Sequence, residues 1–294
     1  MPLDLTSPSQ LIQLLQKHNF RIKKRFGQNF LVDRNILNKV VDSLELAVHD
    51  CVLEIGPGAG TLTLALAEKG AQVVAVEVDR ELVSILAEVL APYPNVRIVN
   101  EDFLRIDLPQ FIHKHFGDKY VKVVGNLPYY ITTPIITQLL QARSKLERIV
   151  LMVQREVAER LTAKPGSRDY GSMSVYVQFY AEQEIIAYVS KNVFFPPPEV
   201  SSAIIKLTPR QCPIVEVPSE EAFFDVVHCA FGQRRKTLLN TLTDCPAIGL
   251  TKEQVQHVLQ DARVDGSKRA ETLSLDDFAR IAWALVKASA SGIE

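Results

Sequence analysis

Several short stretches of this chain carry residues able to do chemistry, and each follows an apolar run. "LEIGPGAGTLT" sets glycines at 56, 58 and 60 just after such a run. Glycines there let the backbone pass close to a ligand. The spacing is one residue shorter than the GxGxxG of a dinucleotide site, and Pro57 removes a backbone N–H from the loop. Both features disfavour a pyrophosphate cradle, and with it a nicotinamide dehydrogenase. A nucleoside ligand without phosphate fits better, and S-adenosylmethionine is one. Glu77 closes the next apolar run, where an acid can bind both ribose hydroxyls. Asp102 closes the third, where a carboxylate can accept from an adenine amino group. Asp79 competes with Glu77 for the ribose, but its place ahead of "RELVSILAEVL" suits a helix cap. Glu54, near the loop, is read either as a partner for a cofactor ammonium or as a satisfied buried acid.

The fourth run, "VKVV", ends in "GNLPYYIT". An exocyclic amine on a base is a poor nucleophile, because its lone pair is delocalised into the ring. The Asn126 side-chain oxygen and a nearby backbone carbonyl can accept its two N–H bonds and localise that lone pair. Pro128 fixes the turn and restricts Leu127 to an extended conformation, which points a carbonyl inward. Tyr129 offers a stacking face, worth about 1–3 kcal/mol per base. Little proton abstraction is needed before attack, so orientation and electrostatics carry most of the acceleration. "VFFPPPEVSS" supplies a second aromatic, Phe194 or Phe195, on a stiff proline segment.

The elements that must position these residues alternate. "CVLEIG", "AQVVAVEV", "NVRIVNED", "VKVVGNL" and "RIVLMVQ" read as strands, and "GTLTLALAEKG", "DRELVSILAEVL" and "TPIITQLLQA" as helices. That pattern predicts an α/β fold: a largely parallel sheet with helices on both faces. "EIIAYVS" and "SSAIIKL" are expected as an antiparallel pair at one end of the sheet. After about Thr208 the β signal stops, and four helical segments follow. The expected domains are therefore residues 1–208 and a small all-α domain, residues 209–294.

Composition narrows the function classes. Lys+Arg is 33 against Asp+Glu 34, a net charge of -1. A globally polyanion-binding protein is excluded, though local clusters remain open. The first thirty residues lack a signal-peptide core, and no apolar run approaches the roughly 20 residues of a membrane span. A cytoplasmic location is expected. The four cysteines, Cys51, Cys212, Cys229 and Cys245, form no CxxC pair and read as reduced thiols. "HKH" (His113, His115) reads as a solvated segment, so no metal is expected.

With these residues in place, the chain resembles the ribosomal RNA adenine dimethyltransferase family, of the bacterial small-subunit type. The resemblance runs nearly the whole length, through "KKRFGQNFL", "VLEIGPGAGTLT", "VEVD", "NEDFL", "GNLPY", "VQREVAERL", "FFPPPEVSS", "QRRKTLLN" and "SKRAETLSLDDFARIAWAL". It implies a Rossmann-like class I S-adenosylmethionine-dependent methyltransferase sheet. The implied partner is 16S rRNA in a small ribosomal subunit or its precursor. The implied product is N6,N6-dimethyladenosine at two adjacent positions of the 3′-terminal hairpin loop, and a monomer is expected. By motif, Asn29 and Leu31 contact the cofactor, Gly56 lies under its methionine part, Glu77 takes the ribose and Asp102 the adenine amine. Asn126 lines both cofactor and target amine, while Tyr129 and Phe194 sandwich the target base. Tyr130 and Ser201 depart from the family pattern, where Asn and an acid are usual.

The target adenosine must be unstacked, since N6 is occupied in a duplex, and RNA loops offer this cheaply. "KHNFRIKKR", Lys17 to Arg25, is the densest basic run and is the expected RNA contact. "QRRK", "SKR" and the cluster Arg155, Arg160, Lys164 and Arg168 are lesser candidates. Two rivals remain. A relative acting on large-subunit rRNA would share the pocket. A non-catalytic assembly factor would not need Gly56, Glu77, Asp102, Asn126 and Tyr129 intact.

Overall fold

The computed structural model describes residues 3–23, 26–233 and 235–290. In chain order the elements are α1 (Pro8–Lys17), β1 (Phe30–Leu31), α2 (Arg34–Ser43), β2 (Cys51–Ile55), α3 (Thr61–Glu68), β3 (Gln72–Glu77), α4 (Arg80–Val89) and β4 (Val96–Asn100). Then come α5 (Leu108–Phe116), β5 (Val121–Asn126), α6 (Thr132–Gln141), β6 (Leu146–Gln154), α7 (Arg155–Thr162), α8 (Ser172–Tyr180), β7 (Ala181–Val189), β8 (Phe194–Phe195) and β9 (Ser202–Pro209). Helices α9 (Glu220–Phe231), α10 (Leu238–Thr243), α11 (Lys252–Asp261) and α12 (Leu275–Ala290) complete the chain.

Seven strands form one sheet in the order β4-β3-β2-β5-β6-β9-β7. The pairs β2–β3, β3–β4, β2–β5 and β5–β6 are parallel, and β9 runs antiparallel to β6. From β2 the chain builds outward through β3 and β4, then returns to the other side of β2 with β5 and β6. The order therefore reverses between β2 and β5, the point at which such sheets open a crevice at their carboxyl ends. The central strands β2, β3 and β5 are buried on both faces, β2 throughout, while β4 and β7 at the two edges of the sheet are partly exposed. At Gly125 the sheet tolerates no side chain, since a Cβ there would lie 2.7 Å from the Ile55 carbonyl oxygen. This close approach lets β5 deliver Asn126 beside the β2 loop.

The last two strands meet the expected antiparallel pattern. Lys206 pairs with Glu184, and Arg210 with Glu182. Rising numbers on β9 thus meet falling numbers on β7, and the even-numbered side chains of both share one face.

One apolar core sets α2 and α3 (Leu37, Val40, Val41, Leu66) against Val52, Val124, Val150, Met152 and Ile204, with Leu31 and Phe194 in the same cluster. A second core joins α1 and α4 (Leu11, Leu15, Leu82, Ile85, Leu86) to Phe30 and Ala59. β1 and β8 form a separate two-stranded ribbon in which Phe30 faces Phe195 and Leu31 faces Phe194. The Phe195–Pro196 peptide is cis.

The chain divides into two compact units, residues 1–158 with 182–211, and residues 159–181 with 212–294. The second unit thus takes in α8 as well as the C-terminal helices, where the sequence break alone marks only the step after Thr208. Aromatic packing is the physical reason: Phe179 stacks on Phe223 at 4.7 Å, and the Tyr180 hydroxyl donates to Glu220. One cysteine expectation is corrected. Cys229 on α9 and Cys245 after α10 form a disulfide, their Cα atoms 5.5 Å apart across 16 residues of sequence. Helix packing brings together what sequence distance separates. Cys51 and Cys212 are free thiols. No described helix is long and apolar enough to cross a membrane.

Candidate active site

A cavity opens at the carboxyl ends of β2, β3 and β5. Its walls include Asn29, Leu31, Gly56, Glu77, Asp102 and Asn126, the six residues that the sequence reading assigns to a cofactor. They come from five separate segments, and the reversal of strand order is what gathers them. Leu127, Tyr129 and Phe194 are not part of this lining.

The loop after β2 supplies the floor. Gly56 holds φ at +68°, and a Cβ there would meet nothing within 4 Å, so the backbone faces open space. Glu77 ends β3 inside the wall. Its Oε1 accepts from the Asp79 N–H at 2.9 Å and its Oε2 from the Gly58 N–H at 3.2 Å. Burial pushes its carboxyl up to about 7, against the pull of these N–H donors. Glu54 is 1% exposed, and its Oε2 has no hydrogen-bond partner among the described residues. Burial pushes that carboxyl up to about 8, and the nearby Glu77 adds to the rise. Two acids thus face the same cavity with unmet demand for a cationic or proton-donating ligand.

Asp102 lies just beyond the end of β4. One oxygen caps a short turn by accepting from the Leu104 N–H at 3.1 Å, and the other lies 3.6 Å from Arg105 Nε. Asp79 is the helix cap, its side chain accepting from the Glu81 N–H at 3.1 Å.

Asn126 is fixed by a partner outside its own strand. Its Nδ2 donates to the Asn29 carbonyl at 2.8 Å. A carbonyl accepts only an N–H, so the bond also determines which end of the amide is the oxygen. No described residue donates to Asn126 Oδ1. Asn29 Nδ2 in turn donates to the Gly27 carbonyl at 2.9 Å. Next along the chain, Leu127 is buried with its N–H on the Met152 carbonyl at 3.1 Å. Tyr129 is half-buried, its hydroxyl 2.9 Å from Ser202 Oγ, and burial raises its phenol. Phe194 is 4% exposed and packs in the core that holds Leu31 and Met152. Tyr130 is exposed and lines the cavity beside Gly27.

The segment before β1 is anchored by a residue that sequence reasoning assigned to RNA. Lys23 Nζ lies 2.7 Å from Asp79 Oδ1 and 2.9 Å from Glu81 Oε1, and sits over the rings of Phe20 and Phe26. Gln28 Nε2 donates to Asp79 Oδ2 at 2.9 Å. Lys17 pairs with Glu88, also on α4. Two of the five cations of the basic run are therefore spent on α4, and Lys24 and Arg25 lie outside the described residues. The sequence showed the charges but not their acidic partners, which lie more than fifty residues away. In the second unit, Arg168, Arg235 and Arg269 line one cavity with Glu271, so three basic runs distant in sequence meet there.

The model of a family described as "Ribosomal RNA adenine dimethylase" matches residues 19–285. The chain belongs to the ribosomal RNA adenine dimethylase family. A Bacillus pumilus relative named "Ribosomal RNA small subunit methyltransferase A" is 46% identical over 290 residues, 98% of this chain and 99% of the relative. A dimethyladenosine transferase from Plasmodium falciparum shares the fold at a TM-score of 0.73 and 23% identity, covering 88% of this chain and 98% of its own. The 23S rRNA methyltransferase ErmE is similar at a TM-score of 0.67 and 29% identity, covering 88% of this chain and all of its own. As a member of the dimethylase family the chain is an rRNA-modifying methyltransferase with the class I α/β fold.

Proposed function

We propose that this enzyme transfers methyl groups from S-adenosylmethionine to N6 of two adjacent adenosines in the 3′-terminal hairpin loop of 16S rRNA, during assembly of the small ribosomal subunit. The observation that carries the reading is Asn126: its amide nitrogen is tied to the Asn29 carbonyl, and its oxygen is left without a protein donor at the cavity wall.

The cavity fits the proposed cofactor. The open backbone at Gly56 suits close approach of the methionine part, and the Glu77 carboxylate has lone pairs for the ribose hydroxyls beyond its two N–H bonds. Asp102 suits the adenine amine, with Asn29 and Leu31 closing the cavity from β1 and the segment before it. The unpartnered Glu54 oxygen matches an ammonium group. When bound, the cofactor supplies a methyl group on a cationic sulfur.

The chain's own residues do the rest. Asn126 Oδ1 accepts one N–H of the target amine, and the Leu127 carbonyl is the second acceptor. With both N–H bonds engaged, the nitrogen lone pair leaves conjugation with the ring and is aimed by two fixed groups. Tyr129, held by Ser202, offers the base a face. For Phe194 the same role requires the base to reach a ring that packs in the core with Leu31, and Phe194→Ala tests it. As the nitrogen takes the methyl, the C–S bond breaks, the donor leaves as a neutral thioether and the cationic amine loses one proton to water; only one N–H then remains for two acceptors, so the site must admit a methyl group where a hydrogen was. Basic side chains, including those of the arginine-lined cavity, suit the RNA backbone.

The test is incubation with labelled S-adenosylmethionine and under-methylated small subunits, followed by mapping of the label on both ribosomal RNAs. Label on two adjacent adenosines of the 3′-terminal loop is the expected result. Unlabelled small-subunit RNA, or label on large-subunit RNA alone, would overturn the reading.

A further inference from the structure

Beyond Tyr129 the same edge of the sheet carries a second, more exposed aromatic that catalysis does not use. Tyr188 lies near the end of β7 and is 55% exposed. The Arg155 guanidinium sits over its ring, 4.7 Å from the centroid. Arg155 is the first residue after β6, at the strand end that faces the active site.

A chain of contacts leads from the proposed target base to this pair. Tyr129 bonds to Ser202. The neighbouring Ser201 carbonyl accepts from the Arg155 N–H at 3.0 Å. The ion pairs Lys206–Glu184 and Arg210–Glu182 put even-numbered residues of β7 and β9 on one face. Tyr188 therefore shares its face with Ser202, the residue that holds Tyr129. The same ion pairs step β7 along β9 until Tyr188 lies level with the start of β9. An exposed ring, a cation stacked on one side of it and a neighbouring base grip are the parts of a single-strand platform, in which aromatic faces take bases and arginine takes phosphate.

We propose that Tyr188 and Arg155 form a subsite for the nucleotide next to the target adenosine, with the tyrosine ring stacking its base and the guanidinium edge meeting its phosphate. The subsite rests on the function proposed above. It holds the RNA strand in register while the target is presented, so it acts on substrate binding and not on the transfer itself. Stacking is tolerant of base identity, so the platform selects an unpaired strand more than a sequence.

The test compares wild type with Tyr188→Leu, Tyr188→Phe and Arg155→Gln on under-methylated small subunits. KM for the subunit, kcat, cofactor affinity and thermal midpoint are all measured. Tyr188→Leu keeps apolar bulk on the edge strand but removes the ring. It is expected to raise the subunit KM about tenfold or more, with kcat and cofactor affinity unchanged, and Tyr188→Phe is expected to restore the wild-type KM. Arg155→Gln is expected to weaken binding and to lower the slope of log affinity against log salt by about one. A wild-type KM for Tyr188→Leu, or a Phe variant as impaired as Leu, overturns the subsite. Wild-type enzyme that leaves the RNA unmodified overturns the functional reading instead, which keeps the two failures distinct.

Discussion

Lys23→Met tests whether the segment before β1 is a working part of the cofactor cavity. Asp79 is 3% exposed and takes Lys23, Gln28 and its own helix N–H. Gln28 leads directly into Asn29, whose carbonyl holds Asn126. Removing one partner of a buried ion pair costs about 3–5 kcal/mol. Here the full figure does not apply, because Asp79 keeps two neutral donors and Lys23 is 22% exposed. A loss of about 1–2 kcal/mol is the reasonable share.

That loss falls on the closed segment, and apparent affinity scales with the population of the competent state. Lys23→Met is therefore expected to weaken S-adenosylmethionine binding by about tenfold, since 1.4 kcal/mol is one decade. The transfer rate should fall too, because Asn126 loses a firm orientation partner. Lys17→Met is the control. Its pair with Glu88 is 61% and 46% exposed, and water screens so exposed a pair that it contributes little. Isothermal titration of both variants with cofactor decides. Equal affinity for Lys23→Met and Lys17→Met would show that Lys23 is an ordinary surface charge.

Three further outcomes follow from the same residues. Glu54, raised to about 8, must give up its proton to meet a cationic group, so cofactor affinity should rise with pH between about 6 and 9 and then level; Glu54→Gln flattens that rise, and a wild-type affinity constant across that range would contradict it. For folding the sign is opposite, since a carboxyl raised in the folded state lowers stability above its unfolded value of 4.5. Ligand-free Glu54→Gln should melt several degrees higher than wild type at pH 9 and equally at pH 4, read by calorimetry, with roughly 5 kcal/mol as the upper bound. Asn126→Ala should cut kcat at saturating cofactor by about a hundredfold or more, and retained turnover in a single-turnover assay would remove Asn126 from the chemistry.

What was legible in the sequence follows from how each residue is constrained. The strands were legible because burial on both faces leaves long apolar runs, and the acids at their ends stood out against them. Asn29 and Leu31 were not legible this way. "GQNFL" has no period and no charge, and it entered only through resemblance to a known family. The Lys23–Asp79 contact was opaque for another reason: a lysine in a basic run looks the same whether it faces solvent or a carboxylate 56 residues away. Periodicity reports burial along one element, while a clasp between elements leaves no local trace. The Cys229–Cys245 bond was missed on the same ground.

The geometry also explains why one amide can serve two masters. An asparagine at the end of a buried strand has four hydrogen-bonding capacities and few neighbours to use them. The Asn29 carbonyl takes one N–H, and that choice forces the oxygen to the opposite side of the amide plane. Aspartate at position 126 would have no N–H to give, and would set a carboxylate against the Asn29 carbonyl oxygen, so both anchor and orientation would fail together. Asn126→Asp is thus expected to lose more activity than its unchanged size suggests, and to lose it at every pH at which the carboxyl is ionised. Protonation would return one donor, so partial recovery of the methyl-transfer rate at low pH in the Asp variant, absent in Asn126→Ala, is the signature to seek in single-turnover measurements. Identical pH profiles for the two variants would mean that the Asn29 bond does not orient the amide.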